Sequence, residues 1–137
     1  MITHRRQSGM SIFGILAILV MLGFFALCII RMTPPYFEYI SVRDIVERIV
    51  VDPETPRESP GDIRRKLQMR LHTNQIGGID HTEIKLLHRG GKKYIDARYE
   101  YRLPILWRID AVLKFDDLLY EIGDPRQVNP SDLPPAR

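Results

Sequence analysis

Three histidines beyond the N-terminal tail are the side chains best suited to bind a metal ion: His72, His81 and His88. A metal site needs ligands at close spacings on one face, often together with a cysteine or a carboxylate. His81 shares a strand face with Glu83, but His88 follows seven residues after His81 and no tight pair is formed. We therefore interpret the three as surface histidines and predict no metal site.

Residue types that serve in catalysis are present without the spacing that catalysis needs. Asp116 and Asp117 are adjacent, and neighbours on a strand point to opposite faces, so we interpret the pair as a strand end. The serines lack a glycine elbow, and Gly77–Gly78 and Gly90–Gly91 precede no Lys-Ser/Thr of a phosphate-binding loop. The single cysteine, Cys28, lies in an apolar run and is expected to pack as a small hydrophobic residue. We predict no catalytic residue and no cofactor, and hence a protein that is not an enzyme.

Two groups of side chains are candidates for contact with a partner or with lipid. The first is a basic cluster on a predicted helix, and the second is an aromatic group directly after Pro34–Pro35. A basic side chain near an anionic membrane surface contributes about 1 kcal/mol, although we favour a solvated helix face, as is usual for charged runs. Aromatic residues favour the membrane–water interface. The members are Arg64, Arg65, Lys66 and Arg70 in the first group, and Tyr36, Phe37 and Tyr39 in the second.

The element that positions these residues is a run of 19 residues without a charge, Ile12 to Ile30. A helix of this length, rising about 1.5 Å per residue, just crosses a hydrocarbon core of roughly 30 Å. A cleaved signal peptide is an alternative, but its apolar region is typically about 7–15 residues long and ends at a small-residue site, which Leu27–Arg31 does not offer. A buried core helix is another, but the chain that follows is too short and too charged to cover it on all faces. We predict a transmembrane helix over 12–30, with the lipid bilayer as its surroundings.

The charges around this run indicate an orientation. Arg5 and Arg6 lie in a short tail, residues 1–11, that contains no acid. Basic tails stay on the cytoplasmic side, so we predict a cytoplasmic N-terminus, which in a bacterial inner membrane places the C-terminal domain in the periplasm. The net charge is +3, and because two of these charges belong to the tail, we predict no nucleic-acid partner.

Helical periodicity returns after the prolines. Apolar spacings of three and four predict a juxtamembrane helix over 31–51, with an end or a kink of the helix near Pro34–Pro35. The proline-rich segment 52–61 is predicted to be a linker. Ser59 then caps a new helix, whose buried stripe is formed by Ile63, Leu67 and Leu71.

Beyond Gly77–Gly78 the apolar period changes from four residues to two, which is typical of strands. We predict a three-stranded antiparallel sheet with a hairpin turn at Gly90–Gly91 and one apolar face covered by the preceding helix. The α+β domain is expected over 62–122, and the proline-rich segment 123–137 is expected to be mobile. The predicted strands are Thr82–Arg89, Lys92–Leu103 and Trp107–Phe115, with Tyr99, Tyr101 and Trp107 in the sheet core.

The N-terminus, Arg5 to Phe13, resembles a type IV pilin leader, in which a basic segment ends in glycine and an apolar helix begins. The resemblance implies leader processing between Gly9 and Met10 and a pilin-like layout of helix followed by antiparallel sheet. The position that carries a glutamate in pilins, five residues into the mature chain, is Gly14 here. Because of the leader and the layout, a pilin-like structural subunit is an alternative function.

An ordered set of motifs runs along most of the chain: RRQSGMSIFGILAIL, Pro35-Tyr36-Phe37-Glu38-Tyr39, Ser41-Val42-Arg43, Ser59 to Arg64, Tyr99 to Pro104 and Val112 to Asp116. This set resembles the proteobacterial family of domain of unknown function 4845. The resemblance implies a small single-pass inner-membrane protein without assigned catalysis. Members are often encoded beside signal peptidase I, which implies by association an accessory role in protein secretion. We therefore expect a non-enzymatic, membrane-anchored periplasmic interaction protein.

Overall fold

The longest element is a single helix that contains both predicted N-terminal helices. The computed structural model describes residues 11–135, and helix α1 runs without interruption from Ile12–Val50, 39 residues. Pro34 and Pro35 lie inside it, although each removes a backbone donor from the helical ladder. The predicted end of a helix at the prolines is therefore not found, and the predicted kink stays a prediction.

The two halves of α1 differ in what surrounds them. Its most apolar stretch has no buried residue, and α1 is long and apolar enough to cross a membrane. From Val42 onward the helix forms the centre of the domain core, with Val46 and Ile49 fully buried. Phe37 and Ile40, which precede Val42 on the same helix, are exposed. One helix thus joins the apolar segment directly to the core.

Helix α2, Pro60–Thr73, confirms the sequence pattern closely. The Ser59 hydroxyl accepts a hydrogen bond from the backbone N–H of Asp62 at 3.3 Å, which caps the first turn. The stripe of Ile63, Leu67 and Leu71 is buried in the core shared with α1. A short 3-10 helix, Thr55–Arg57, lies in the loop between α1 and α2.

The strands form two antiparallel sheets, and this arrangement corrects the single sheet expected from the sequence. A three-stranded sheet has the order β1-β2-β5, and β3 and β4 form a separate two-stranded ribbon. The Gly90–Gly91 turn between β1 and β2 is confirmed, with φ of 56° and 77°. The α+β class is also confirmed. The strands are β1 Lys85–Arg89, β2 Lys92–Asp96, β3 Tyr99–Leu106, β4 Ile109–Phe115 and β5 Leu119–Glu121.

The predicted strand Lys92–Leu103 is divided because the chain changes sheets at Ala97 and Arg98. The Ala97 N–H donates to the carbonyl oxygen of Leu118 at 2.9 Å. The Arg98 guanidinium binds the Asp96 carboxylate through two hydrogen bonds of 2.8 Å each. These contacts fix the corner, so that β2 pairs with β5 while β3 turns away to pair with β4.

The C-terminal segment, expected to be mobile, makes hydrogen bonds to the domain. The Gly123 N–H donates to the Val50 carbonyl oxygen at 2.9 Å, and the Val128 N–H donates to the Leu119 carbonyl oxygen at 2.8 Å. The Arg89 side chain donates to the carbonyl oxygen of Pro134 at 3.2 Å. Much of this segment is therefore laid along β5 and the end of α1.

Candidate functional site

The structure divides the predicted aromatic group into exposed and packed members. Tyr36 and Phe37 are 57% and 63% exposed. Tyr39 is half-buried: its ring stacks on Phe115 with centroids 4.5 Å apart, and its hydroxyl donates to the Asp117 carboxylate. Burial, together with the bond to that carboxylate, raises the pKa of Tyr39 to about 12. Tyr39 therefore fastens α1 to the domain, and only the other two can meet a partner.

Tyr36, Phe37 and Ile40 form an exposed apolar face of α1, which we call the juxtamembrane patch. These positions lie within about 100° of arc on a helix of 3.6 residues per turn. Counted from Ile30, they lie roughly 9–15 Å further along the helix, whereas each headgroup layer is about 5–8 Å thick. With α1 upright in a bilayer, the patch begins at the outer edge of the headgroups and extends into water.

The predicted basic cluster is not a single free patch. The Lys66 ammonium forms ion pairs with Glu58 and, at 3.2 Å, with Asp52. Its bond to Glu58 is the main reason that the pKa of Lys66 is raised. Arg64 and Arg65 are exposed and Arg70 is half-buried. Only part of the predicted cluster is free to contact another molecule.

The part of the basic cluster around Lys66 lies near the end of α1 that is distant from the apolar run. Lys66 contacts Asp52, which lies two residues beyond the last residue of α1, Val50. Val50 is 20 residues beyond Ile30 in the sequence, or about 30 Å along the helix. With α1 upright, Arg64 and Arg65 are therefore too far from the headgroups of the same membrane to contact them. These side chains can contact an acidic partner or water.

The ribbon of β3 and β4 differs most from the sequence interpretation. Tyr99 is buried, as expected for the sheet core, and Tyr101 is half-buried. Trp107, also expected in the core, is fully exposed at the turn, and Leu106 and Ile109 beside it are 53% and 61% exposed. Alternation in the sequence marked one apolar face correctly but could not show that the ribbon extends past the elements that cover it.

A polar network joins the second half of α1 to the C-terminal segment. The Glu47 carboxylate accepts hydrogen bonds from Arg43 at 2.8 Å and from the Tyr120 hydroxyl at 3.1 Å. The Gln127 amide donates to the Tyr120 hydroxyl at 3.4 Å and to the Asp117 carboxylate at 3.3 Å. Sequence reasoning missed this network because its members are far apart in the chain. Each polar group has a partner within it, which indicates a structural role.

Within residues 11–135, no group of three or more His, Cys, Asp and Glu side chains is close enough to hold a metal ion. His72 and His81 line one open cleft of about 360 Å³ beside Asp80, and the His81 imidazole lies 2.8 Å from the Asp80 carboxylate. Gly9 and Met10, the predicted processing position, lie outside the described residues.

The fold is thus that of a small α+β domain built around the second half of a helix that is apolar and long enough to cross a membrane. The family described as domain of unknown function (DUF4845) matches residues 31–115. The chain belongs to this family, as its motifs indicated. Neither the curated proteins nor the solved structures contain a significant match.

Proposed function

We propose that this protein is a single-pass, non-enzymatic inner-membrane protein whose periplasmic domain binds another membrane protein close to the bilayer surface. The observation that carries the proposal is the continuity of α1. The same helix provides the apolar segment and the centre of the domain core, with Val42, Val46 and Ile49 fully buried. Because no loop intervenes, the domain is held at a fixed height above the membrane.

The juxtamembrane patch is the surface that we assign to the partner. Phe37 and Ile40 leave apolar area exposed beyond the headgroups, where a solvated helix would be expected to carry polar residues. Exposed apolar area of this kind is typical of interaction sites. A partner that also spans the membrane would meet this patch without leaving the bilayer. Signal peptidase I is one such candidate, by family association.

Site-specific photo-crosslinking in living cells tests this proposal. A photoreactive residue at position 36, 37 or 40 is expected to give one discrete protein adduct, and the double variant F37E/I40E is expected to abolish the adduct formed from position 36. Met69 is the matched control, because it is equally apolar and 61% exposed but lies on α2. Adducts of the same mass and strength from position 69, or adducts that survive F37E/I40E, would contradict the assignment.

A pilin-like structural subunit is a second candidate. The layout of α1 favours it, since an exposed apolar half followed by a half packed into an α+β domain suits a helix that assembles with copies of itself. The intact mass of the protein from cells distinguishes the two. A chain that begins at Met10 supports pilin-type processing, and a chain that retains residues 1–9 excludes it.

A further inference from the structure

The turn of the β3–β4 ribbon is the most exposed apolar part of the domain. We call Leu106, Trp107, Arg108 and Ile109 the hairpin tip. Trp107 is fully exposed, and Leu106 and Ile109 are more than half exposed. Three adjacent large apolar groups at the end of a two-stranded ribbon would be costly to keep in water.

The ribbon runs along α1 towards its apolar half. At the base of the ribbon, Phe115 pairs with Tyr99 and stacks on Tyr39. Nearer the turn, the Arg31 guanidinium donates to the carbonyl oxygen of Pro104. Arg31 precedes Tyr39 by eight residues, or about 12 Å along the helix. The direction from the base of the ribbon to its turn is therefore the direction in which α1 enters the apolar segment.

The hairpin tip lies beyond this contact. Trp107 follows Pro104 by three residues, which is about 10 Å of extended strand. Arg31 directly follows Ile30, the last residue of the apolar run. If the ribbon continues in the same direction beyond Pro104, its turn lies beside the last helical turns of the apolar segment. The turn then lies in the membrane and not in the water outside it.

The backbone conformation at position 107 is one that does not favour tryptophan. Trp107 is the first of two residues between the paired positions Leu106 and Ile109 and has a φ of 39°. Glycine, asparagine and aspartate are favoured at such positions because a side chain on a positive φ is strained. A tryptophan held in this conformation and fully exposed suggests that a surface outside the described chain accommodates its indole.

We propose that the hairpin tip inserts into the lipid leaflet on the domain side of the membrane. Trp107 lies at the boundary between headgroups and acyl chains, the depth that tryptophan favours. Leu106 and Ile109 contact the upper part of the acyl chains, while Arg108, which is exposed, extends to lipid phosphates. Asp110 stays at the level of Pro104, with which it pairs. This inference rests on the proposed anchoring by α1 and adds a second contact that fixes the rotation of the domain about that helix.

The fluorescence of Trp107 tests the proposal directly, because it is the only tryptophan in the chain. The full chain is reconstituted into vesicles of phosphatidylcholine and phosphatidylglycerol, and vesicle flotation is measured first. Trp107 is expected to show blue-shifted emission, strong quenching by lipids brominated near the headgroup, weaker quenching by lipids brominated near the chain ends, and little quenching by aqueous acrylamide.

The control moves the tryptophan to the other hairpin, in W107F/H88W. His88 is exposed and pairs with Lys93, whose ammonium donates to the Pro56 carbonyl oxygen beyond the end of α1. In this variant, the tryptophan at position 88 is expected to show red-shifted emission. Acrylamide should quench this emission, and brominated lipid should not. In L106S/I109S, the emission of Trp107 is expected to shift towards that of the control.

The outcomes separate the two proposals. A chain that does not float with vesicles contradicts the anchoring by α1 and the insertion together. A chain that floats, but whose Trp107 is quenched by acrylamide and not by brominated lipid, overturns the insertion alone.

Discussion

At the scale of single residues, the pair of Asp96 and Arg98 shows how side chains set the corner between the two sheets. Burial opposes ionisation of Asp96, but two side-chain hydrogen bonds and the backbone N–H of Arg98 outweigh it, so the pKa of Asp96 lies below its usual range. A hydrogen bond to a charged group contributes about 1.5–3 kcal/mol. We expect Asp96→Asn to lower the free energy of unfolding by about this amount at neutral pH.

This effect should depend on pH in a defined direction. Because the folded pKa of Asp96 is depressed, its contribution is complete above the unfolded pKa of about 3.9 and is lost as the pH falls through the folded value. Chemical denaturation in detergent should show the difference between wild type and D96N shrinking below about pH 4. Asp44→Asn, on the exposed face of α1, is the control. A difference that is constant across this range would show that the carboxylate does not act through its charge.

Two glycines allow the cost of backbone conformation to be measured by itself. Added Cβ atoms at Gly77 and Gly91 would both meet open space, but only Gly91 has a positive φ, 77°. Gly91→Ala is therefore expected to destabilise the protein by about 1–2 kcal/mol through strain alone. Gly77→Ala is expected to be neutral or to stabilise by up to about 1 kcal/mol. Equal unfolding midpoints for the two variants would contradict the assigned turn.

At the scale of elements, α2 was predictable and the sheets were predictable only in part. The Ser59 cap and the four-residue spacing of apolar residues in α2 are local signals. They favour a helix independently of the element on which it packs. The division of the predicted strand Lys92–Leu103 depends on the Leu118 carbonyl oxygen, which lies about twenty residues further along the chain. Alternation therefore revealed which residues share a face but not which sheet they join.

Helix α1 is the element on which the rest of the domain is assembled. Ile49 is fully buried, whereas Ile40 on the same helix is 39% exposed. We expect Ile49→Ala to cost about 2–5 kcal/mol, since it leaves a cavity in the core, and Ile40→Ala to change stability by less than about 0.5 kcal/mol. Urea unfolding monitored by circular dichroism would measure both. Comparable losses at the two positions would mean that the C-terminal half of α1 is not the core of the domain.

The candidate surfaces were the least predictable feature. The sequence marked Tyr36, Phe37 and Tyr39 as one group, and the stacking of Tyr39 on Phe115 removed it from that group. The sequence pattern also marked Trp107 as core, although the ribbon carries this residue past the elements that cover Tyr99 and Phe115 at its base. Exposure is a property of the whole assembly of elements, and local pattern does not contain it.

At the scale of the whole molecule, one continuous helix joins a segment that is long and apolar enough to cross a membrane to the core of the domain. Its first half is exposed and apolar, and its second half is buried at the centre of the core. The juxtamembrane patch lies on this helix, and the hairpin tip is directed towards its apolar half. Under the proposed anchoring and insertion, both the height of the domain above the bilayer and its rotation about α1 are fixed. A protein that binds a partner in the membrane plane requires both.

Alkaline extraction of membranes from cells that produce the full chain tests the central claim, that the first half of α1 is embedded in lipid. Alkali releases peripheral proteins and leaves spanning helices in place, because burial of an apolar helix of this length does not depend on charge. We expect the intact chain, including the apolar run, to remain in the membrane pellet. Recovery of the intact chain in the supernatant, or of a product lacking its first thirty residues, would contradict the account.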